Sequence, residues 1–228
     1  MTKQNLITKS TMELISKAEG KFVTEKKKSA LDIFNSIPMP KEKEEDWRYT
    51  EIAKFDLQKF LPFEGNEEIF ATSLSEDLLE KGIILTDINT ALDKYQIAQE
   101  YFSKNLNAKN DKFNALNLSF FAHGIFLYVP KNVELEEPIK VNFNFEDKNS
   151  VLHNIIVVES NSKVDFIEEY SNKEVSEEQI NCCVTEVFAN QNSKINFYHM
   201  NNWTKNVYNF INVVGTVERD ASINWISG

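Results

Sequence analysis

Glycine, proline, cysteine, histidine and arginine are all scarce in this chain of 228 residues. With only 6 Gly and no Gly-rich loop, the backbone lacks the usual means of wrapping closely round a phosphate, and an ATP site of its own is not expected. The 2 Cys, adjacent at Cys182 and Cys183, make no disulfide framework. Neighbours on a strand point to opposite faces, so a bridge between them would be strained. A reducing compartment fits this usage. The 3 His, His123, His153 and His199, lie far apart, and none sits with a Cys at metal-ligand spacing. His123 reads as a turn residue before Gly124, and the other two as residues beside strands that cap backbone groups. Positive charge is also short: 25 Lys and Arg face 35 Asp and Glu, a net charge of -10. That balance opposes a nucleic-acid partner, and the run Lys26-Lys27-Lys28 reads as a solvated helix face. No apolar run approaches the roughly 18 residues of a membrane span. The N-terminal MTKQNLITKS lacks the apolar core of a signal peptide. A soluble cytoplasmic protein is the expectation.

What is abundant is bulky apolar side chain, with 17 Phe and 42% hydrophobic residues, enough for a large core. Residues 1–118 read as a mainly helical domain. Ser10 or Thr11 is placed to cap a helix carrying Met12, Leu14, Ile15 and Ala18. Ala30, Ile33, Phe34 and Ile37 share one helical face, stopped by Pro38 and Pro40. Trp47 and Tyr49 form an aromatic pair on an extended segment after the charged run Lys41 to Asp46. Leu61 to Asn66 is a connector. Ser75 caps a short helix closed by Gly82. Ile83-Ile84-Leu85 is a short strand, and Asp87 caps the next helix, with Leu92, Tyr95, Gln99 and Phe102 near one face. Lys109 to Leu118 is a further helix.

From about residue 119 the period changes. Asn132-Val133-Glu134-Leu135, Lys163-Val164-Asp165-Phe166, Lys194-Ile195-Asn196-Phe197 and Ser222-Ile223-Asn224-Trp225 share one pattern: polar, β-branched, acidic or Asn, large apolar. The anchors Val133, Val164, Ile195 and Ile223 are spaced by 31, 31 and 28 residues. A second strand precedes each anchor: Phe126 to Val129, Ile155 to Val158, Val184 to Phe188, and Phe210 to Val214. Two strands per period, repeated at near-constant length, point to stacked β-coils, because one coil cannot bury its inward side chains alone. The fold class is therefore α+β, mainly β, with a parallel β-helix over residues 119–228.

Two blocks now resemble a known family. PKEKEEDWRYTEI, Pro40 to Ile52, is similar to an N-terminal element of the SufB/SufD iron–sulfur cluster assembly scaffolds. DKFNALNLSFFAHGIFLYVPKNVELEEPIKV, Asp111 to Val141, is similar to that family's entry into its β-helix. The Trp-Arg-Tyr-Thr element points to the SufD branch. The resemblance implies a right-handed β-helix and a non-catalytic scaffold acting with a SufB-like subunit and the ATPase SufC. A transient iron–sulfur cluster would belong to the complex, with no cofactor bound by this segment. Family members are longer, so the chain is expected to be truncated at its C-terminal end, with SufC docking through the missing region. An open last coil is expected to promote self-association.

No catalytic residue and no metal site is read from the sequence. Cys182 and Cys183 are the only cofactor-binding candidates, since thiolates accept sulfur and bind iron; one should face the coil interior and one the outside. SufB-like proteins are thought to pass sulfur through that interior, which leaves a SufB-like paralogue with direct sulfur or iron acceptance as an alternative. A carbohydrate-active β-helix enzyme is a further one, weakened by the two arginines, Arg48 and Arg219, and by the absence of a carboxylate cluster. Glu136-Glu137 and Glu168-Glu169 read as solvated edges, since adjacent carboxylates face opposite ways.

Overall fold

The computed structural model describes residues 20–60, 70–71, 74–145 and 149–228. The helix expected to carry Met12 to Ala18 and the connector Leu61 to Asn66 lie outside the described residues. Helix α1 (Lys21–Ser36) buries Val23, Ala30, Leu31 and Phe34 and ends at Ile37, ahead of Pro38. Three single-turn 3-10 segments follow, at Glu45–Trp47, Ile52–Lys54 and Leu57–Phe60. Strand β1 (Phe70–Ala71), helix α2 (Glu76–Glu80), strand β2 (Ile84–Asp87), helices α3 (Ile88–Lys94), α4 (Gln96–Tyr101) and α5 (Lys112–Phe120) complete this region.

The caps show why these elements stop and start. The carboxylate of Asp87 accepts from the N–H groups of Asn89 and Thr90, and that of Asp111 from Phe113 and Asn114, satisfying N–H groups that a helix leaves free. Gly82 adopts φ 79, and its N–H donates to Leu79 while Ile83 N–H donates to Leu78, the two bonds of a Schellman ending. Ser75 stands at the N-cap of α2 but makes no side-chain capping bond.

Three sequence expectations need correction here. Lys27 is buried rather than solvated, with its Nζ 4.2 Å from the centre of the Phe121 ring; a long aliphatic stem lets a lysine lie in a core seam. Trp47 does anchor its loop, 5.3 Å from Phe113 and 6.4 Å from Phe210. Tyr49, however, is 89% exposed, and in place of an extended run Trp47 closes a 3-10 segment and Tyr49 lies in the turn after it. The helix expected to place Leu92, Tyr95, Gln99 and Phe102 on one face is two short ones, α3 and α4, which meet at an extended Tyr95.

Lys112, the first residue of α5, is buried and donates from Nζ to the carbonyls of Phe34 and Ile37, closing the C-terminal turn of α1. Burial pulls its amine from 10.5 down to about 8. A folded value below the unfolded one means the unfolded chain binds more protons between these limits. Stability should therefore rise with pH from about 8 towards 10.5, and Lys112→Met should flatten that slope in denaturation curves taken across the range.

The rest of the chain is a β-solenoid of four turns, each turn giving one strand to each of two sheets. Its strands are β3 (Ile125–Val129), β4 (Ile139–Phe145), β5 (Ser150–Val158), β6 (Lys163–Asn172), β7 (Gln179–Ala189), β8 (Lys194–Asn202), β9 (Val207–Val217) and β10 (Ser222–Ser227). One sheet runs β2-β3-β5-β7-β9 and the other β1-β4-β6-β8-β10. All pairs from β3 onward are parallel, while β1 and β2 add antiparallel edges at the entry end. The outward face of the first sheet packs under the helices through Val151, Ile155, Val157, Ile180, Cys182, Val184 and Phe188. Between the sheets lies a second core that includes Val141, Phe143, Val164, Phe166, Ile195 and Phe197.

Register bears out the repeat from the second turn onward. Val164 pairs with Ile195, and Ile195 with Ile223. The first anchor is misplaced. A bridge pairs Glu134 with Lys163, which sets Leu135, not Val133, level with Val164. The offset is set ahead of the kink at Glu136 to Pro138, since Val129 is already level with Val158; after the kink Ile139 is level with Phe166. One turn edge holds Asn132, Asn161, Asn192 and Asp220 at φ 62, 60, 59 and 60, a conformation Asn and Asp tolerate better than other side chains. The three Asn amides stack in a ladder, Asn192 donating to Asn161 and Asn161 to Asn132 at 2.9 and 3.0 Å.

Candidate functional site

The alternation of β6 places Val164, Phe166, Glu168 and Tyr170 inward, and the same alternation in β7 and β8 brings Cys183, Thr185 and His199 to the same interior. With Asn154 of β5 they form a polar island in an otherwise apolar solenoid. Glu168 is fully buried, and one carboxylate oxygen lies 2.5 Å from His199 Nδ1. Thr185 donates to the carboxylate at 3.4 Å, and Asn154 Nδ2 donates to it at 3.3 Å. Asn154 also donates to the Tyr170 hydroxyl at 2.8 Å, and that hydroxyl lies 3.1 Å from Cys183 Sγ. Below the island, Val141 and Phe143 are level with Glu168 and Tyr170. Above it, Ile211 and Val213 are level with Cys183 and Thr185.

This sealing decides what the thiol can do. Burial first, and the Glu168 carboxylate second, push the Cys183 thiol well above its ordinary range. Burial and then Asp111 push Cys182 well up as well. Burial, followed by Cys183 and Glu168, raises the Tyr170 phenol. A neutral thiol is a poor nucleophile and a poor metal ligand. Both cysteines should resist a disulfide reagent such as DTNB in the native protein and react at full stoichiometry once denaturant is added. Rapid native labelling of either one would overturn that expectation.

The two cysteines separate as alternation requires. Cys183 faces the interior; Cys182 faces the helices, with Sγ 3.6 Å from the Phe113 carbonyl. Cys182 also lines a cavity of about 250 Å³ walled by Trp47, Phe113 and Phe210. Neither histidine on a strand caps backbone. His199 pairs with Glu168. His153, on the outward face of β5, lies with Nε2 2.9 Å from Glu186 Oε1 and Nδ1 2.8 Å from Asn117 Oδ1. Glu168 is not a solvated edge, although its neighbour Glu169 does face outward, 2.7 Å from Lys140. Glu136 and Glu137 are exposed as expected. Among the described residues, no group of three or more His, Cys, Asp and Glu side chains is placed to hold a metal ion. Sequence reading gave no site role to Asn154, Glu186 or Asn117, and it placed Glu168 on the wrong side of its strand. For Glu168 the signal was available, since Val164 and Phe166 already set the inward parity.

A helical region seated on one face of a parallel β-solenoid, with a packed interior, defines the class. Comparison with known proteins narrows it. Residues 55–141 match the SufBD protein N-terminal region, and residues 142–228 match the SufBD core domain of the SUF system for FeS cluster assembly. Among similar proteins are iron-sulfur cluster assembly SufBD family proteins of Staphylococcus epidermidis, 29% identical, and of Staphylococcus haemolyticus, 28% identical. A third, from Staphylococcus saprophyticus, is 27% identical. Each alignment covers 164 residues, 71% of this chain and 35% of the relative. The chain belongs to the SufB/SufD iron–sulfur cluster assembly family. It spans about a third of the length of the curated relatives it matches. No helix among the described residues is long and apolar enough to cross a membrane.

Proposed function

We propose that this chain is the N-terminal portion of a SufD-like, non-catalytic scaffold subunit of a cytoplasmic iron–sulfur cluster assembly complex, acting with SufB-like and SufC-like partners. The observation that carries the reading is the sealed interior: a family member whose inward thiol is buried and held protonated is suited to support rather than to sulfur acceptance. Residues 1–118 would form the helical domain and 119–228 the first coils of the β-helix, with cluster chemistry and ATP hydrolysis residing in other parts of the complex. Co-purification of the full-length protein with a SufC-like ATPase tests the partnership, and clean failure to bind would count against it.

A second reading, a SufB-like subunit that accepts sulfur directly, draws on one observation: Cys183 sits within an island that also holds Glu168 and His199. Alanine at Cys182 and at Cys183, scored by cluster assembly in cells, separates the two. A scaffold tolerates both changes, whereas a sulfur acceptor loses activity with one of them.

A further inference from the structure

Between the helices and the solenoid, four separate stretches of chain meet at two buried side chains. His153 comes from β5, Glu186 from β7, Asn117 from α5, and the N–H groups of Ser103 and Asn105 from the loop after α4. The side chains of His153 and Glu186 are both 0% exposed. Each Glu186 oxygen accepts one loop N–H, Oε1 from Ser103 and Oε2 from Asn105, both at 2.7 Å. The Asn117 amide is fixed by its nitrogen, which donates to the carbonyls of Leu152 and Cys182 at 2.6 and 3.3 Å. Its oxygen therefore faces His153 Nδ1.

The proton count follows from these bonds. An amide oxygen only accepts, so Nδ1 must carry a hydrogen. The other ring nitrogen faces a carboxylate oxygen that already accepts one N–H. A further proton must sit between them, on the ring or on the carboxyl. Without it, two lone pairs would face each other at 2.9 Å away from water, an arrangement with a steep cost. We propose that His153 and Glu186 form a proton-holding clasp, which docks the 102–106 loop on the solenoid while the proton is held and releases it when the proton is lost. The loop is the part that can yield. Ser103 stands in the left-handed region at φ 58, and letting the loop lift admits water to the carboxylate.

The rings of Phe102 and Phe121 flank His153 at 4.8 and 5.6 Å. Lys27 of α1 lies over the Phe121 ring. Lys104 of the loop lies over Tyr101 and Phe188, at 4.5 and 5.8 Å. β9 sets Val214 level with Glu186, and β3 sets Phe126 level with Ile155. Both lysines are turned onto aromatic rings.

The test is amide hydrogen exchange on the full-length protein from about pH 5 to about pH 8, the range in which a histidine switch operates, corrected for intrinsic rates. Protection at Ser103 and Asn105 should fall at least about tenfold as pH rises, while the amides of β5 and β7 keep theirs. Glu186→Gln should remove protection at both loop amides at the acid end and abolish the pH trend. Ring nitrogen shifts of His153 should report hydrogen at both nitrogens, or a carboxyl proton on Glu186, at the acid end. Flat protection in the unsubstituted protein overturns the clasp whatever the variant does, and so does a Glu186→Gln protein that keeps both amides protected.

Discussion

Gly124→Ala should prevent stable folding or lower stability by on the order of 4 kcal/mol or more, among the largest effects a single substitution produces. Gly124 lies at φ 145, where an L side chain is strained. A methyl there would also stand 1.9 Å from the His153 carbonyl oxygen and 2.6 Å from its carbon. Those atoms belong to backbone held in a rung, since His153 N–H donates to the His123 carbonyl at 2.9 Å and His123 bridges Leu152. The Gly124 carbonyl meanwhile accepts from Ile88 N–H at 3.0 Å, tying the start of α3 to the solenoid entrance. Neither neighbour can retreat without breaking one of these bonds. Gly215→Ala is the matched control. Its added methyl would meet only the tip of the Ile223 side chain, at 3.1 Å, so urea denaturation should show a loss below about 1 kcal/mol.

Glu168→Ala should cost about 3–5 kcal/mol, because it leaves His199 buried opposite nothing and removes an acceptor from Asn154 and Thr185. The size of that loss does not mean the Glu168–His199 contact is a source of stability. Replacing Glu168 and His199 together by Leu should recover most of it, since two desolvated polar groups are then exchanged for apolar packing. Comparing the singles and the double in one denaturant series checks this. A double variant as damaged as Glu168→Ala would show that the remaining polar groups, Asn154 and Tyr170, cannot be satisfied on their own.

The solenoid was legible because its signal is both periodic and local. Strand alternation gives each inward position, and Val164, Ile195 and Ile223 fall in register as their spacing implies. The same parity places Glu168, Tyr170, Cys183 and His199 inside. The buried glutamate was misread because its charge was weighed above its position. Val133 was misassigned for a different reason. NVEL copies the repeat's chemistry, but the first turn is spaced from the second by 29 residues, as Val129 and Val158 show, against 31 for the next, and a matching tetrapeptide carries no record of that shorter spacing. The His153 network was beyond reach. Its partners lie 36 and 33 residues away in sequence, and they are brought together only by docking helices for which no repeat exists. Lys27 and Tyr49 escaped for a related reason: burial of a lysine and exposure of a tyrosine depend on neighbours that the helical region supplies from elsewhere in the chain.

The asparagine ladder has a consequence for engineering. From the second coil onward it sets the geometry of one edge so tightly that differences in coil length are taken up on the other edge. There the links between successive coils run over six residues at 173–178 and four at 203–206. Ser176 and Glu177 are exposed within the longer link. A short flexible peptide or a fluorophore tag placed between them should leave every rung intact, whereas the same insert between Asn161 and Ser162 would break the ladder. The solenoid thus offers one edge as a grafting site for probes of assembly, and the opposite edge as a fixed reference from which distances to a partner are measured.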